Sequence, residues 1–119
     1  RYYVNASGER LNGISAIDVC TNGQFPNRLI GDVEIFNEEF GETYLGYENH
    51  IGRTYLGKNM KPLGKVVKGF GNNEEDHAEG CHYKNVFCSY FHGPILVRNQ
   101  HLADRIIQTA AQRRLTKNA

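Results

Sequence analysis

VFCSYFHGPIL, residues 86–96, sets the most hydrophobic run of the chain directly against a histidine and a strand-breaking Gly-Pro pair. Val86 to Phe91 reads as a buried strand, the kind that lies in the middle of a sheet and is covered on both faces. It ends at Gly93-Pro94, because proline has no N–H to give to the ladder. His92 therefore falls at the carboxyl end of a strand, which in open α/β sheets borders the ligand crevice. Imidazole is also the usual general base near neutral pH. His92 is thus a candidate catalytic residue, with a structural histidine capping the strand as the alternative. Position alone does not separate the two.

Working outward, Asp32 to Phe36 alternates, placing Val33 and Ile35 on one face of a half-buried strand. Thr43 to Glu48 and Lys65 to Phe70 are two more short strands, rich in β-branched and aromatic residues. Up to Gly31 the chain reads as loop, broken by Gly8, Gly13 and the Asn22-Gly23 turn. GFGNNEEDHAEG, residues 69–80, reads as a mobile acidic loop to which no chemistry is assigned. One helix is expected, with Asn99 as N-cap and Leu102, Ala103, Ile106, Ile107 and Ala110 at helical spacing through Arg114. The order is loop, strands, then one terminal helix: an α/β chain with mixed strands. One amphipathic helix covers only part of one face of a sheet. More of the domain is therefore expected upstream, and the chain opens on Arg1 rather than Met.

At 119 residues the chain makes one domain or part of one. No apolar run approaches the roughly 20 residues that span a bilayer, and the first residues lack the layout of a secretory signal. Lys and Arg number 14 against 13 Asp and Glu, which argues against a nucleic-acid partner, since that requires a basic stripe. Arg113, Arg114 and Lys117 read as a solvated tail. Three cysteines, Cys20, Cys81 and Cys88, cannot all pair within one chain. Reduced thiols in a cytoplasmic setting fit better than a disulfide framework.

None of these cysteines reads as a nucleophile. Cys88 lies four residues before His92, so a regular strand would hold their Cα atoms about 13 Å apart, far beyond a thiol–imidazole hydrogen bond. Cys20 has no helix N-terminus after it to lower its pKa, and Cys81 lacks a Gly-x-Cys-x-Gly elbow. No metal site is expected, because His77, Cys81, His82, Cys88 and His92 match none of the paired ligand spacings. Arg28, in a loop before a strand, can grip a carboxylate bidentately or simply sit on the surface. YENHIGRTYLG, residues 47–57, places Glu48, Asn49, His50 and Arg53 at a strand end, as a polar cluster that supports a site or as a structural network.

YENHIGRTYLG, GFGNN followed by EG-x-x-Y, and SYFHGPIL together resemble the class I glutamine amidotransferases of the CobB/CobQ type, in the same order and over essentially the whole chain. The resemblance implies the C-terminal half of a flavodoxin-like amidotransferase domain, residues 1–119, with mixed sheet strands and a C-terminal helix. It implies that His92 is the catalytic histidine of the family's Tyr-Leu-His-Gly-Pro segment and that Arg28 holds the glutamine. The nucleophilic cysteine belongs to a Cys-Gly-Gly-Tyr-Gln elbow, absent here and expected in an N-terminal half upstream of Arg1. The 119 residues alone are accordingly expected to be inactive. The GNN loop and the HGP turn favour the branch that works with a Mur-ligase-like protein, MurT, to amidate lipid II in peptidoglycan synthesis. ATP is then expected on that ligase, and no cofactor on this chain. A cobyric-acid-type acceptor and a non-catalytic ligase-docking module are the alternatives. Some positions depart from the pattern: Ile51 replaces Gly, Cys88-Ser89 replaces Gly-Thr, and Phe91 replaces Leu. Pro94 stands where many class I enzymes carry the Glu that orients the histidine. A Cys–His dyad, or a carboxylate from elsewhere, would have to serve instead.

Overall fold

Alternating buried and exposed positions build the two long strands of the chain, Leu29–Asn37 and Glu42–His50. The computed structural model describes residues 1–118. Its elements are β1 (Tyr2–Val4), β2 (Arg10–Asn12), β3 (Val19–Asn22), β4 (Leu29–Asn37), β5 (Glu42–His50), β6 (Arg53–Leu56), β7 (Gly64–Lys68), β8 (Ala78–Glu79), β9 (Cys81–Tyr83), β10 (Val86–Cys88), α1 (Ile95–Arg98) and α2 (Gln100–Asn118). They form one sheet of order β5-β4-β7-β8, a second of order β2-β1-β3-β6, and the hairpin β9-β10. All pairs are antiparallel except β1 with β3.

The ladder of β4 with β5 runs from Leu29 opposite His50 to Asn37 opposite Glu42. Asn37 closes its turn, accepting from the Phe40 amide at 2.8 Å through Oδ1. Strand pleating sends alternate side chains to opposite faces. Val33, Ile35 and Tyr44 enter the core beside Leu63, Phe91 and Leu102, with Val66, Phe87, Ile95 and Ile106 packed around them. Helix α2 docks through Leu102 and Ile106, and Arg105 Nε donates to Glu42 at 2.9 Å.

The helical stripe is narrower than the spacing predicts, since Ile107 and Ala110 are exposed. Asn99 starts the helix with its carbonyl, which accepts from Leu102 and Ala103. Its side chain caps the end of α1 rather than the start of α2, with Nδ2 donating to the Ile95 carbonyl at 2.8 Å. It bonds both backbone groups of Leu45, at 2.7 Å each, and fixes the helix to β5.

Three expectations need correction. Residues 86–91 are not a buried central strand. Only Val86–Cys88 is strand, in a two-stranded hairpin, and Val86 is exposed. The ladder stops because the next amides find side-chain acceptors: Tyr90 donates to Glu79 at 2.6 Å and Phe91 to Ser89 Oγ at 3.0 Å. The stretch before Gly31 is not only loop, because β1–β3 lie within it. Residues 69–80 are not simply a mobile acidic loop. Gly71, Asn72 and Asn73 are buried, and Asn72 bonds the Gly80 amide and carbonyl at 2.8 and 3.0 Å.

Candidate active site

His92 is carried to the sheet by one backbone contact. Its amide donates to the Tyr47 carbonyl at 2.7 Å, making an antiparallel bridge onto β5. Directly paired residues project from the same side of a sheet. The His92 side chain is exposed, on the face that presents Tyr47 and Asn49. The preceding residue goes the other way. Phe91 enters the core over Gly46, where any Cβ would collide with its ring. Glycine at 46 is what lets His92 approach β5 so closely.

Arg28 lies in the loop before β4, and its Nη1 donates to Asn49 Oδ1 at 3.1 Å. Tyr47 and Asn49 are two residues apart on one face of β5, about 7 Å along the strand. The fold therefore brings Arg28 and His92 to the same exposed face, one to the position of Asn49 and the other to that of Tyr47. An imidazole beside a guanidinium on an open face can exchange protons with a ligand whose carboxylate the guanidinium grips.

Glu48, His50 and Arg53 lie elsewhere, because β5 alternates. Glu48 is fully buried on the inner face, accepting from the Phe70 and Gly71 amides at 2.7 and 3.1 Å. His50 contacts Glu48 through Nε2 at 3.2 Å and the Gly52 carbonyl through Nδ1 at 2.8 Å. Its ring stacks on Tyr90, with centroids 3.7 Å apart. Both ring nitrogens are engaged, so His50 has none free for a ligand. Arg53, 5% exposed, donates to the carbonyls of Asn27 and Ile51 and lies over the Phe25 ring. It secures the loop that carries Arg28.

Histidine–carboxylate pairs among the described residues are His50 with Glu48, His82 with Glu39 and His101 with Glu42. None involves His92. Cys81 is buried opposite Cys88 in the β9-β10 hairpin. Burial, and then the neighbouring Cys88, push its thiol up to about 12, which disfavours the thiolate that nucleophilic chemistry requires. Cys20 lies in β3, in a different sheet. Among the described residues no group of three His, Cys, Asp or Glu side chains is placed to hold a metal, and no helix is long and apolar enough to cross a membrane.

Three residues around His92, namely Tyr47, Gly46 and Glu79, are not marked out by the sequence. Tyr47 and Gly46 act through a backbone carbonyl and a missing side chain, and neither leaves a signature. Glu79 opens the EG-x-x-Y motif, whose spacing points to no particular chemistry.

Residues 1–100 match the CobB/CobQ-like glutamine amidotransferase domain family. The chain is 57% identical over 114 residues to the lipid II isoglutaminyl synthase (glutamine-hydrolyzing) subunit GatD of Streptococcus pneumoniae, covering 96% of this chain and 44% of that protein. It is 43% identical over 112 residues to the Staphylococcus aureus protein of the same name, covering 94% and 44%. A probable cobyric acid synthase of Methanothermobacter thermautotrophicus is 44% identical over 91 residues, covering 70% of this chain and 18% of that one. The chain spans less than half the length of these curated relatives.

Proposed function

The chain belongs to the CobB/CobQ-like glutamine amidotransferase family, and on that premise we propose that it forms the histidine-bearing part of a glutaminase that feeds ammonia to a ligase. The observation that carries the reading is the shared exposed face of His92 and Arg28. In this reading Arg28 holds the α-carboxylate of glutamine, and Asn49 steadies the guanidinium. Wherever the nucleophilic cysteine lies, His92 takes its proton, and the thiolate attacks the side-chain amide carbonyl. His92 then returns the proton to the departing ammonia. It next activates a water that hydrolyses the thioester and releases glutamate.

The cysteines of these 119 residues do not supply that nucleophile, so alone they release no ammonia from glutamine. Glu48, His50 and Arg53 support the site from beneath, without touching substrate. Ammonia passes to a Mur-ligase-like MurT partner, which uses its own ATP to amidate the D-glutamate α-carboxyl of the lipid II stem peptide in the cytoplasm. Identity of 57% over nearly the whole chain supports this acceptor. A cobyric-acid-type acceptor has the weaker support, from a probable cobyric acid synthase 44% identical over 91 residues.

The test supplies glutamine labelled with ¹⁵N in its side-chain amide to the complete protein, its ligase partner, ATP and lipid II. The label is expected in the new amide of the stem peptide. Unlabelled product, or label that stays in glutamine, contradicts the proposal.

A further inference from the structure

The route by which His92 reaches β5 runs through a buried acid. Glu79 is fully buried in β8. Its carboxylate accepts from the Tyr90 amide at 2.6 Å and from the Ser89 hydroxyl at 3.1 and 3.2 Å. Ser89 Oγ in turn accepts from the Phe91 amide at 3.0 Å. The following amide, of His92, donates to Tyr47. Three successive backbone donors are therefore held in place, two of them by Glu79 directly or through Ser89. Side chains complete the clamp. The Tyr90 hydroxyl lies 2.6 Å from Thr54 Oγ1 and its ring stacks on His50.

We infer that Glu79 is a positioning residue for glutamine hydrolysis: with Ser89 it holds residues 89–91 so that His92 meets the face carrying Arg28. This rests on the proposed role of His92. A hydrogen-bonding clamp needs acceptors of the right shape and no net charge. Glutamine at 79 can do the same work, its carbonyl accepting from Tyr90 and its amide donating to Ser89 Oγ. Burial pushes the Glu79 carboxyl up to about 7, so the charged form is disfavoured there while its hydrogen bonds to Tyr90 and Ser89 remain. Alanine at 79 leaves the Tyr90 amide without a partner and frees Ser89. A displacement of about 1 Å at a reacting group costs on the order of 10² in rate.

The experiment uses the complete protein with its ligase partner and measures kcat and KM for glutamine hydrolysis, along with amidation driven by ammonium alone. Glu79→Ala and Ser89→Ala are expected to lower the hydrolysis kcat between ~10- and ~100-fold, with KM for glutamine and ammonium-driven amidation nearly unchanged. Glu79→Gln is expected to restore kcat to near wild type. Hydrogen exchange at the His92 amide should quicken in the alanine variants and not in Glu79→Gln. Wild-type kcat in Glu79→Ala, or a Glu79→Gln no better than alanine, overturns the inference. So does a loss shared equally by the ammonium-driven reaction. If Glu79→Ala does not fold, Ser89→Ala decides alone, since it removes the hydroxyl between Glu79 and Phe91. His92→Ala in the same assays separates the two claims. If it still hydrolyses glutamine, the reading of the site fails. If it is dead while Glu79→Ala is fully active, only the positioning inference fails.

Discussion

Adding one methyl group at Gly46 tests how the fold places its histidine. An alanine Cβ there would overlap the Cδ2 and Cγ atoms of Phe91 and come within 2.9 Å of its Cβ, against an optimal carbon–carbon separation of about 3.5–4.0 Å. The backbone of β5 has little room to retreat, because the strand is paired along its whole length with β4. Phe91 is itself buried among Val33, Ile35, Tyr44, Leu63 and Leu102, so its ring must leave its place. Overpacking of this kind costs about 1–3 kcal/mol, and the residue displaced is the one before His92. Urea denaturation of the complete protein and of Gly46→Ala, Phe91→Leu and the double variant measures it. Gly46→Ala should lose stability in that range. Phe91→Leu should be mild and should relieve much of the clash, giving a coupling of about 1 kcal/mol or more. An unchanged midpoint for Gly46→Ala, or strictly additive losses, would mean that Gly46 is not there to admit Phe91.

Two further predictions concern charge. Arg28→Ala in the complete protein should raise KM for glutamine, by an amount worth about 2–5 kcal/mol if substrate closes over the guanidinium. Asn49→Ala should raise it less, because the guanidinium stays but loses its anchor; steady-state glutaminase kinetics decide, and an unchanged KM in Arg28→Ala returns that residue to the ordinary surface. Glu79 should make stability depend on pH. Its carboxyl is raised from 4.5 to about 7 by burial, so the folded state holds this proton more tightly than the unfolded chain. The contribution is complete below about 4.5 and is lost as pH rises through 7, a change on the order of a few kcal/mol. Urea midpoints for wild type and Glu79→Gln across that window should diverge, with the variant gaining relative stability toward high pH; parallel curves would count against the buried, proton-holding carboxyl.

Local periodicity made the two long strands and the terminal helix legible. Val33 and Ile35 announce their face, and Leu102 and Ile106 announce theirs. Residues 86–91 misled for a physical reason. Their composition is that of a buried strand, but Glu79 and Ser89 capture the amides of Tyr90 and Phe91. Glu79 is 11 residues away from Tyr90, and their contact follows neither the period of a strand nor that of a helix. The buried part of residues 69–80 was hidden likewise, because Asn72 and Asn73 are ordinary loop residues until their partners at Gly80 and Thr54 are known. The short strands before Gly31 pair across the chain, β1 in parallel with β3, over too few residues to show a period. In the site, the positions of His92 and Arg28 were readable as candidates. In sequence the cluster at 48–53 looks like one group, although the alternation of β5 divides it: Asn49 toward Arg28, Glu48 and His50 into the interior.

In the proposed mechanism His92 moves protons in glutamine hydrolysis and in nothing else. The most direct measurement compares His92→Ala with wild type in the complete protein and its ligase partner, supplying nitrogen first as glutamine and then as ammonium. Because both proton transfers are lost, glutamine-driven amidation should fall by at least ~10². Ammonium-driven amidation should stay near the wild-type rate. Equal loss of both reactions would make His92 structural or part of the partner interface, and full glutamine-driven activity would remove it from the mechanism.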